Sequence, residues 1–560
     1  MTKETALNRG ADLLVQSLAR AGVDTIYSLS GNQIMPVYDA CLSAGIEIIH
    51  TRHEAAAVFM AEAHAQLTGG VGVALVTAAP GAANAIGPLY TARQSESAVL
   101  LLTGDSPLAL DGRGAFQEMD QVAMSAPLTK ASRRAMRADD LGEGLADLIR
   151  LSLSGRAGPV HMALPFDVLE ADSGDATAPE AAAFRPEPPA MPPADAEAII
   201  AALRAARRPL VITGPSLSET RRGSLTRDLA EALDAPVIVM ESPRGLRDPA
   251  LGDVALSFAK ADLVVSLGKP VDFTSNFGRG APKARWIVVD PDAEARERAV
   301  RNLGEALEAT FDAWPAVAAA TLIERAGQED VTAGPNRHGW CTEVAMKCAG
   351  RHEPEGAEGA EEDNAQAASD RDGDGQPIRP DALVEAVQRR LEAAPRSVVI
   401  CDGGEFGQWA QAGAHGDERL LNGPAGAIGG GLCYGVAAAR VRPGALVVAF
   451  MGDGSSGFHL AEFETALRAR TPFVAVIGND ARWNAEYQIQ LREYGERRAV
   501  GCTLDPTRYD LAVAGLGGHG EYVTRLEDLD AALSRAVDSG RVACVNVMIE
   551  GLPAPAGAGH

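Results

Sequence analysis

Several familiar signals are missing from this 560-residue chain, and each absence closes off a class of protein. The seven cysteines (Cys41, Cys341, Cys348, Cys401, Cys433, Cys502 and Cys544) are odd in number and form no CxxC pair. That argues against a disulfide framework or a paired-cysteine metal site, and a reduced, cytoplasmic protein is expected. No stretch of about 18 apolar residues occurs, so no membrane-spanning helix is expected. The opening MTKETALNRG lacks the apolar core of a signal peptide. Basic residues are the minority, 51 Lys and Arg against 75 Asp and Glu, for a formal net charge of −24 and a pI near 4.9. A nucleic-acid binder would carry a basic face, so no nucleic-acid partner is expected. The chain also lacks a GxSxG elbow, a Walker GK[ST] loop and an HExxH helix, which removes the hydrolase, nucleotide-hydrolysing and zinc-protease readings those motifs carry.

What the chain does have is a steady alternation of apolar runs and helical stretches. TIYSL (25–29), IEIIH (46–50), GVALVT (72–77), AVLLLT (98–103) and PVHMAL (159–164) are continuous apolar runs, the mark of strands buried on both faces. Helix-like segments such as HEAAAVFMAEAHAQLTG lie between them. This βαβ pattern predicts a parallel, doubly wound sheet over 1–172. A Pro/Ala-rich passage, SGDATAPEAAAFRPEPPAMPPADA, reads as a linker over 173–196. PLVITG, PVIVM, LVVSLG and WIVVDPD then mark a second α/β domain over 197–330. An acidic, Gly/Ala-rich linker is expected over 331–380. Inside it, DRDGDGQPIRPD places Asp370, Asp372, Asp374, Gly375 and Asp381 at calcium-loop spacing. Pro377 and Pro380 interrupt that loop and no helix leads into it, so a solvated linker is the better reading. The third α/β domain, 381–560, carries VVICDGG, LVVAFMGDG, FVAVIGND and CVNVMI. The fold class is therefore α/β, with three doubly wound parallel-sheet domains of similar size.

In the third domain two acids end two strands. Asp453 follows LVVAFMG and Asp480 follows FVAVIGN. Ligands of an open parallel sheet bind beyond the carboxyl ends of its strands. Paired oxygen ligands suit a hard cation such as Mg²⁺, which commonly also takes phosphate oxygens. Gly452 and Gly454 let backbone approach a phosphate, and Ser455 opens a helix whose N-terminus favours an anion. A metal-bridged diphosphate fits all of this. An Asp N-cap at a strand-to-helix turn would explain Gly-Asp-Gly-Ser alone, but not the second acid.

GDG followed by ND at this spacing resembles the cofactor motif of thiamine-diphosphate enzymes, in which the last residue is usually Asn. Here Asp480 replaces it and would add a charge to the metal site. The resemblance extends along the whole chain. It makes the first domain pyrimidine-binding, the second a Rossmann-like central domain and the third diphosphate-binding. It implies thiamine diphosphate and Mg²⁺, with Asp453, Asp480 and the carbonyl of Arg482 as metal ligands. Ile428 in GAIGGGLCYG, with Gly426, looks like the apolar wedge that bends the cofactor. Gly404, Glu405 and Phe406 in CDGGEF look like the strand end that helps hold the diphosphate, joined by Gly452, Gly454, Ser455 and Trp483. Pro80 and Asn84 in APGAAN resemble the cofactor loop of the first domain. Glu54, at the start of an Ala-rich helix, would be the activating carboxylate that bonds the pyrimidine N1′. Taken alone, Glu54 reads better as an acid complementing a helix dipole; the other motifs turn the balance.

GAFQEMDQVAMSAPLTKAS (114–132) matches the acetolactate synthase, benzaldehyde lyase and 2-hydroxyacyl-CoA lyase branch. That branch places a glutamine near the substrate carbonyl, here Gln117. Gln33 stands where benzaldehyde lyases carry histidine, a departure from that subgroup. Glu486 resembles the glutamate that serves as acid/base in 2-hydroxyacyl-CoA lyases, where acetolactate synthases are apolar. Ala485 beside it would leave room for a longer acyl group. Lys260, Lys269, Arg279 and Lys283 in the central domain either meet CoA phosphates or are ordinary surface charge. CoA or ADP is a candidate ligand there, and FAD is not expected. The resemblance implies a small-molecule substrate, including CoA thioesters, and a homodimer or homotetramer whose sites are shared between subunits. The leading reading is a carbon–carbon lyase/ligase that cleaves 2-hydroxyacyl-CoA reversibly to formyl-CoA and an aldehyde or ketone. The alternatives are an acetolactate synthase-type ligase of 2-oxo acids and a benzaldehyde lyase-like carboligase.

Overall fold

A computed structural model describes residues 8–328, 336–349 and 377–555. Three parallel sheets organise the chain, and they fall into two compact units. The first unit carries β1 (Thr25–Ser28), β2 (Glu47–His50), β3 (Gly72–Val76), β4 (Val99–Asp105), β5 (Ser132–Arg134) and β6 (Val160–Pro165), in the order β2-β1-β3-β4-β6-β5. The second unit holds the other two sheets. One contains β7 (Pro209–Thr213), β8 (Val237–Val239), β9 (Leu263–Leu267), β10 (Arg285–Val289) and β11 (Leu307–Phe311), ordered β11-β10-β9-β7-β8. The last contains β12 (Ser397–Cys401), β13 (Glu418–Leu421), β14 (Leu446–Gly452), β15 (Val474–Asn479), β16 (His519–Val523) and β17 (Ala543–Met548), ordered β13-β12-β14-β15-β17-β16.

The first and last sheets share one topology: counted within each domain, the strands run 2-1-3-4-6-5. Order reverses between the first and third strands, and there a doubly wound sheet opens a crevice at its carboxyl edge. Residues just after β1 and β3 in the first unit, and after β12 and β14 in the second, are thus placed to meet ligands.

Apolar alternation explains why these runs are internal strands. In β7, Leu210 and Ile212 enter the core on one face while Val211 enters the core on the other. Along β9, Leu263, Val265 and Leu267 face one core and Val264 the opposite one. Each such side chain, fully buried, contributes about 1.5–3 kcal/mol.

The stretches expected as linkers contain ordered anchors. Phe184 is buried in the core of the first unit, Met191 joins the core of the second sheet, and a helix begins at Pro193. Within 331–380, the helix His338–Ala349 buries Trp340 and Val344 one turn apart against the second sheet. Arg337, just before it, is 1% exposed and donates to the carbonyls of Leu203, Ala206, Leu233 and Asp234. Those carbonyls lie at the C-terminal ends of two helices, where intrahelical donors run out. Asp370, Asp372, Asp374 and Gly375 lie outside the described residues. Among the described residues no helix is long and apolar enough to cross a membrane.

Candidate active site

In the first unit the residues singled out in the sequence gather at the carboxyl ends of β1 and β3. The helix Glu54–Thr68 follows β2, and His53 caps it, its Nδ1 accepting from the Ala55 N–H at 3.1 Å. Glu54 is 8% exposed, and its Oε2 accepts a hydrogen bond of 3.0 Å from Asn84 Nδ2. Asn84 stands on the helix Pro80–Gln94, which starts directly beyond β3. Its N-cap, Ala79, has φ 45° and ψ −95°. Positive φ in a residue with a Cβ stores strain of about 1–3 kcal/mol and recurs where chains shape ligand sites. A Cβ on Gly81 would meet Thr77 Cγ2 at 2.9 Å and Glu54 Oε1 at 3.3 Å, so the turn packs closely on the carboxylate.

Gln33 and Gln117 meet directly. Thr77 Oγ1 donates to Gln33 Oε1 at 2.8 Å, and Gln33 Nε2 donates to Gln117 Oε1 at 2.8 Å. Thr77 sits immediately after β3, so the reversal point of the sheet holds a three-residue polar chain ending at Gln117. With its carbonyl so engaged, Gln117 keeps its amide N–H groups for other partners. Gln117 itself has φ 59°.

In the second unit the predicted residues line one cleft of about 230 Å³. Gly403, Gly404, Glu405 and Phe406 reach it from β12, and Gly452–Ser455 from β14. Asp480, Arg482 and Trp483 reach it from beyond β15, with Gly426 and Ile428 between. Close backbone approach explains the glycines that matter most. Gly452 and Gly478 are register partners on β14 and β15. A Cβ on Gly478 would lie 2.5 Å from the Phe406 ring, and one on Gly454 would lie 2.6 Å from the Trp483 ring.

The two acids are buried together. Asp480 Oδ1 accepts from the Arg482 N–H at 3.1 Å, while Asp453 Oδ2 has no hydrogen-bond partner among the described residues. Burial pushes the Asp453 carboxyl up to about 6, and burial plus the neighbouring Asp453 charge holds Asp480 well above the ordinary carboxylate range. An orphaned carboxylate oxygen beside a second, charge-frustrated carboxylate fits a bound divalent cation, which would satisfy both.

Three supporting groups escaped the sequence reading. Tyr509 donates its hydroxyl to the Asp453 carbonyl at 2.7 Å. Asp402 Oδ2 accepts from the Gly429 N–H at 2.8 Å, and His459 Nδ1 lies 2.8 Å from the Gly429 carbonyl. Together they clamp both ends of the residue that follows Ile428. Burial raises the Asp402 carboxyl to about 6. Asp402 lies within the quoted CDGGEF motif, but Tyr509 and His459 had no local signal.

Glu405 and Glu486 also line the cleft, and their environments differ. The Glu405 side chain is 9% exposed and lies 3.6 Å from the guanidinium of Arg244 through Oε2. Its Oε1 accepts from the Ala554 N–H at 2.6 Å. A carboxylate repels a diphosphate, so what this helix start offers one is its backbone N–H groups. Glu486 is exposed, in the first turn of the helix Asn484–Tyr494. In the central domain Lys260 pairs with Glu343, Lys269 is buried and Arg279 lies over the Phe277 ring.

The fold and these two sets of residues define an α/β enzyme that works through a phosphorylated cofactor. Residues 8–124 match the family described as thiamine pyrophosphate enzyme, N-terminal TPP binding domain, and residues 402–547 match its C-terminal TPP binding domain. The chain is 31% identical over 551 residues to the acetolactate synthase large subunit IlvG of Mycobacterium tuberculosis, covering 96% of this chain and 95% of that protein. It is 29% identical over 609 residues to human 2-hydroxyacyl-CoA lyase 2, covering 98% of this chain and 91% of that protein. The Caenorhabditis elegans 2-hydroxyacyl-CoA lyase 2 is 28% identical over 98% of this chain. The chain belongs to the thiamine pyrophosphate enzyme family. It is an enzyme with a thiamine diphosphate cofactor.

Proposed function

We propose that the protein is a carbon–carbon lyase/ligase whose main reaction is the reversible cleavage of a 2-hydroxyacyl-CoA to formyl-CoA and an aldehyde or ketone. One observation carries this reading: beside the metal-ligand pair, the cleft is lined by two further carboxylates, Glu405 and Glu486, with the small Ala485 next to them. Cleavage of a 2-hydroxyacyl substrate requires a group to take the hydroxyl proton and return it, and a cleft carboxylate can do so. The near-full-length match to 2-hydroxyacyl-CoA lyases agrees with it.

Bound thiamine diphosphate supplies an acyl-anion equivalent. Asp453, Asp480 and the Arg482 carbonyl would hold Mg²⁺ and through it the diphosphate. The N–H groups around Gly454 and Ser455 would add the remaining phosphate contacts. Ile428, fixed by Asp402 and His459, would support the bend of the cofactor. Glu54, oriented by Asn84, would hold a proton between its carboxylate and the pyrimidine N1′. Gln117 would direct its amide N–H groups at the substrate carbonyl oxygen. Pairing of first-domain and third-domain residues across subunits would make the working form a homodimer or homotetramer.

A second reading, decarboxylating ligation of 2-oxo acids, is favoured by the match to acetolactate synthase. Arg244, a cation lining the same cleft, suits a substrate carboxylate. The deciding experiment incubates the protein with thiamine diphosphate, Mg²⁺ and a 2-hydroxyacyl-CoA and follows formyl-CoA by mass spectrometry. Formyl-CoA supports the lyase. Its absence, with 2-hydroxy-2-methyl-3-oxo acids formed from 2-oxo acids, supports the ligase. Under either reading Glu54→Gln retains cofactor binding and loses turnover by about 10²-fold or more. Unchanged turnover would remove Glu54 from this role.

A further inference from the structure

We infer that Glu405, rather than Glu486, is the cleft carboxylate that exchanges a proton with the substrate oxygen, and that Arg244 is the positioning charge that keeps its Oε2 ionised between turnovers. This rests on the lyase/ligase reading above. The two oxygens of Glu405 have different surroundings. Oε1 is committed to the Ala554 N–H at 2.6 Å. Oε2 faces Arg244 at 3.6 Å, beyond hydrogen-bond reach, and so retains lone pairs for a substrate hydroxyl.

Burial separates the two glutamates. A general acid/base works best when its proton affinity lies near the working pH and water does not compete for its proton. The Glu405 side chain is 9% exposed, whereas Glu486 is open to solvent. Burial raises the Glu405 carboxyl above its ordinary value, the Ala554 N–H and Arg244 pull it back, and the charge of Glu486 raises it further. Arg244 and Glu486 are thus the charged groups that bear on it, with opposite signs. The step itself is a proton exchange. The substrate hydroxyl gives its proton to Oε2, the O–H electron pair becomes the second C–O bond of the aldehyde or ketone, and the pair of the breaking C–C bond stays on the one-carbon fragment, whose carbon later takes the proton back from Oε2. No bond to Glu405 forms and nothing is oxidised.

The position of Arg244 adds a specific expectation. It comes from the loop after β8 in the central domain, while Glu405 begins the helix after β12. Removing the guanidinium deletes a charge that favours the ionised carboxylate, so Glu405 should then hold its proton to higher pH.

The test uses the holoenzyme with thiamine diphosphate and Mg²⁺, and two readouts. The first is the pH profile of kcat/KM for wild type, Glu405→Gln, Glu405→Asp, Arg244→Met and Glu486→Gln, with whichever of the two substrate classes the enzyme turns over. Glu405→Gln is expected to lose about 10²–10⁴-fold in kcat and the acid limb of the profile. Glu405→Asp should keep the limb with reduced kcat. Arg244→Met should move the limb to higher pH, and Glu486→Gln, which deletes a charge of the opposite sign, should keep the limb and move it to lower pH. The second readout is the infrared carboxyl band followed against pH, which requires no turnover. Wild type should show a titrating band that Glu405→Gln removes and Arg244→Met shifts upward. An acid limb that survives in Glu405→Gln and disappears in Glu486→Gln would overturn the inference, as would an infrared titration indifferent to Glu405→Gln. Failure of wild type to turn over either substrate class would refute the lyase/ligase reading instead, and the infrared titration would still decide whether Glu405 is the titrating group.

Discussion

Replacing Asp453, the proposed metal ligand, should stabilise this enzyme when cofactor and cation are absent. In the cofactor-free protein, burial holds the Asp453 carboxyl at about 6 against an ordinary 3.8. A native-state value above the unfolded one means the native state binds the proton more tightly. The penalty for ionising is therefore fully present above about pH 6 and fades as pH falls toward 3.8. At about 1.4 kcal/mol for each factor of ten in proton affinity, it amounts to about 3 kcal/mol near pH 7.5. Asp453→Asn removes that charge at nearly constant volume and also relieves Asp480, which the Asp453 charge holds high. Urea unfolding followed by tryptophan fluorescence should show the cofactor-free Asn variant more stable than wild type by about 3 kcal/mol at pH 7.5. The gain should shrink at pH 5. Adding Mg²⁺ and thiamine diphosphate should reverse the order, because ligand at about 1,000 times its Kd stabilises wild type by about 4.1 kcal/mol and binds the variant poorly. A cofactor-free variant no more stable than wild type at pH 7.5 would refute the claim that these acids are frustrated without a cation.

Two further predictions follow from the same reasoning. His161 is fully buried between Thr103 and Ser132, and burial lowers it from 6.5 to about 4. Its contribution is thus complete above pH 6.5 and is lost as pH falls toward 4, by about 3 kcal/mol; His161→Gln, which cannot titrate, should lack that part of the pH dependence of the urea midpoint. Gly454→Ala would drive a Cβ to within 2.6 Å of the Trp483 ring, costing about 1–3 kcal/mol. Calorimetry should find thiamine diphosphate binding weakened by about tenfold for each 1.4 kcal/mol of that strain taken from the bound state, and Trp483→Leu in the same chain should restore it.

How much of this was legible in the sequence depends on how each residue reaches its place. Internal strands such as β4, β9, β14 and β15 are buried on both faces, and their unbroken apolar runs declare them. The strands that the apolar pattern passes over, β5, β11, β13 and β16, are all at sheet edges. Edge strands carry mixed residues with no period to read: SRR, LEATF and HGEYV are largely part-exposed, and ERLL, though mostly buried, opens with two charged residues. The helix His338–Ala349 escapes for a related reason: only Trp340 and Val344 are buried, too few to stand out from an acidic surrounding stretch. The site divides the same way. Asp453, Asp480 and Glu54 sit directly at strand ends or helix starts, where local sequence fixes geometry. Tyr509 and Thr77 act through partners 56 and 44 residues away, and no spacing rule links them. Glu405 shows the limit most sharply. Its neighbours in sequence, CDGGEF, place it beside a diphosphate, where a carboxylate has no use. Its neighbours in space, Arg244 and Ala554, lie about 150 residues away on either side and turn that same carboxylate into a buried, charge-balanced acid. The motif fixes where its backbone lies; the meeting of three distant segments fixes what its side chain can do.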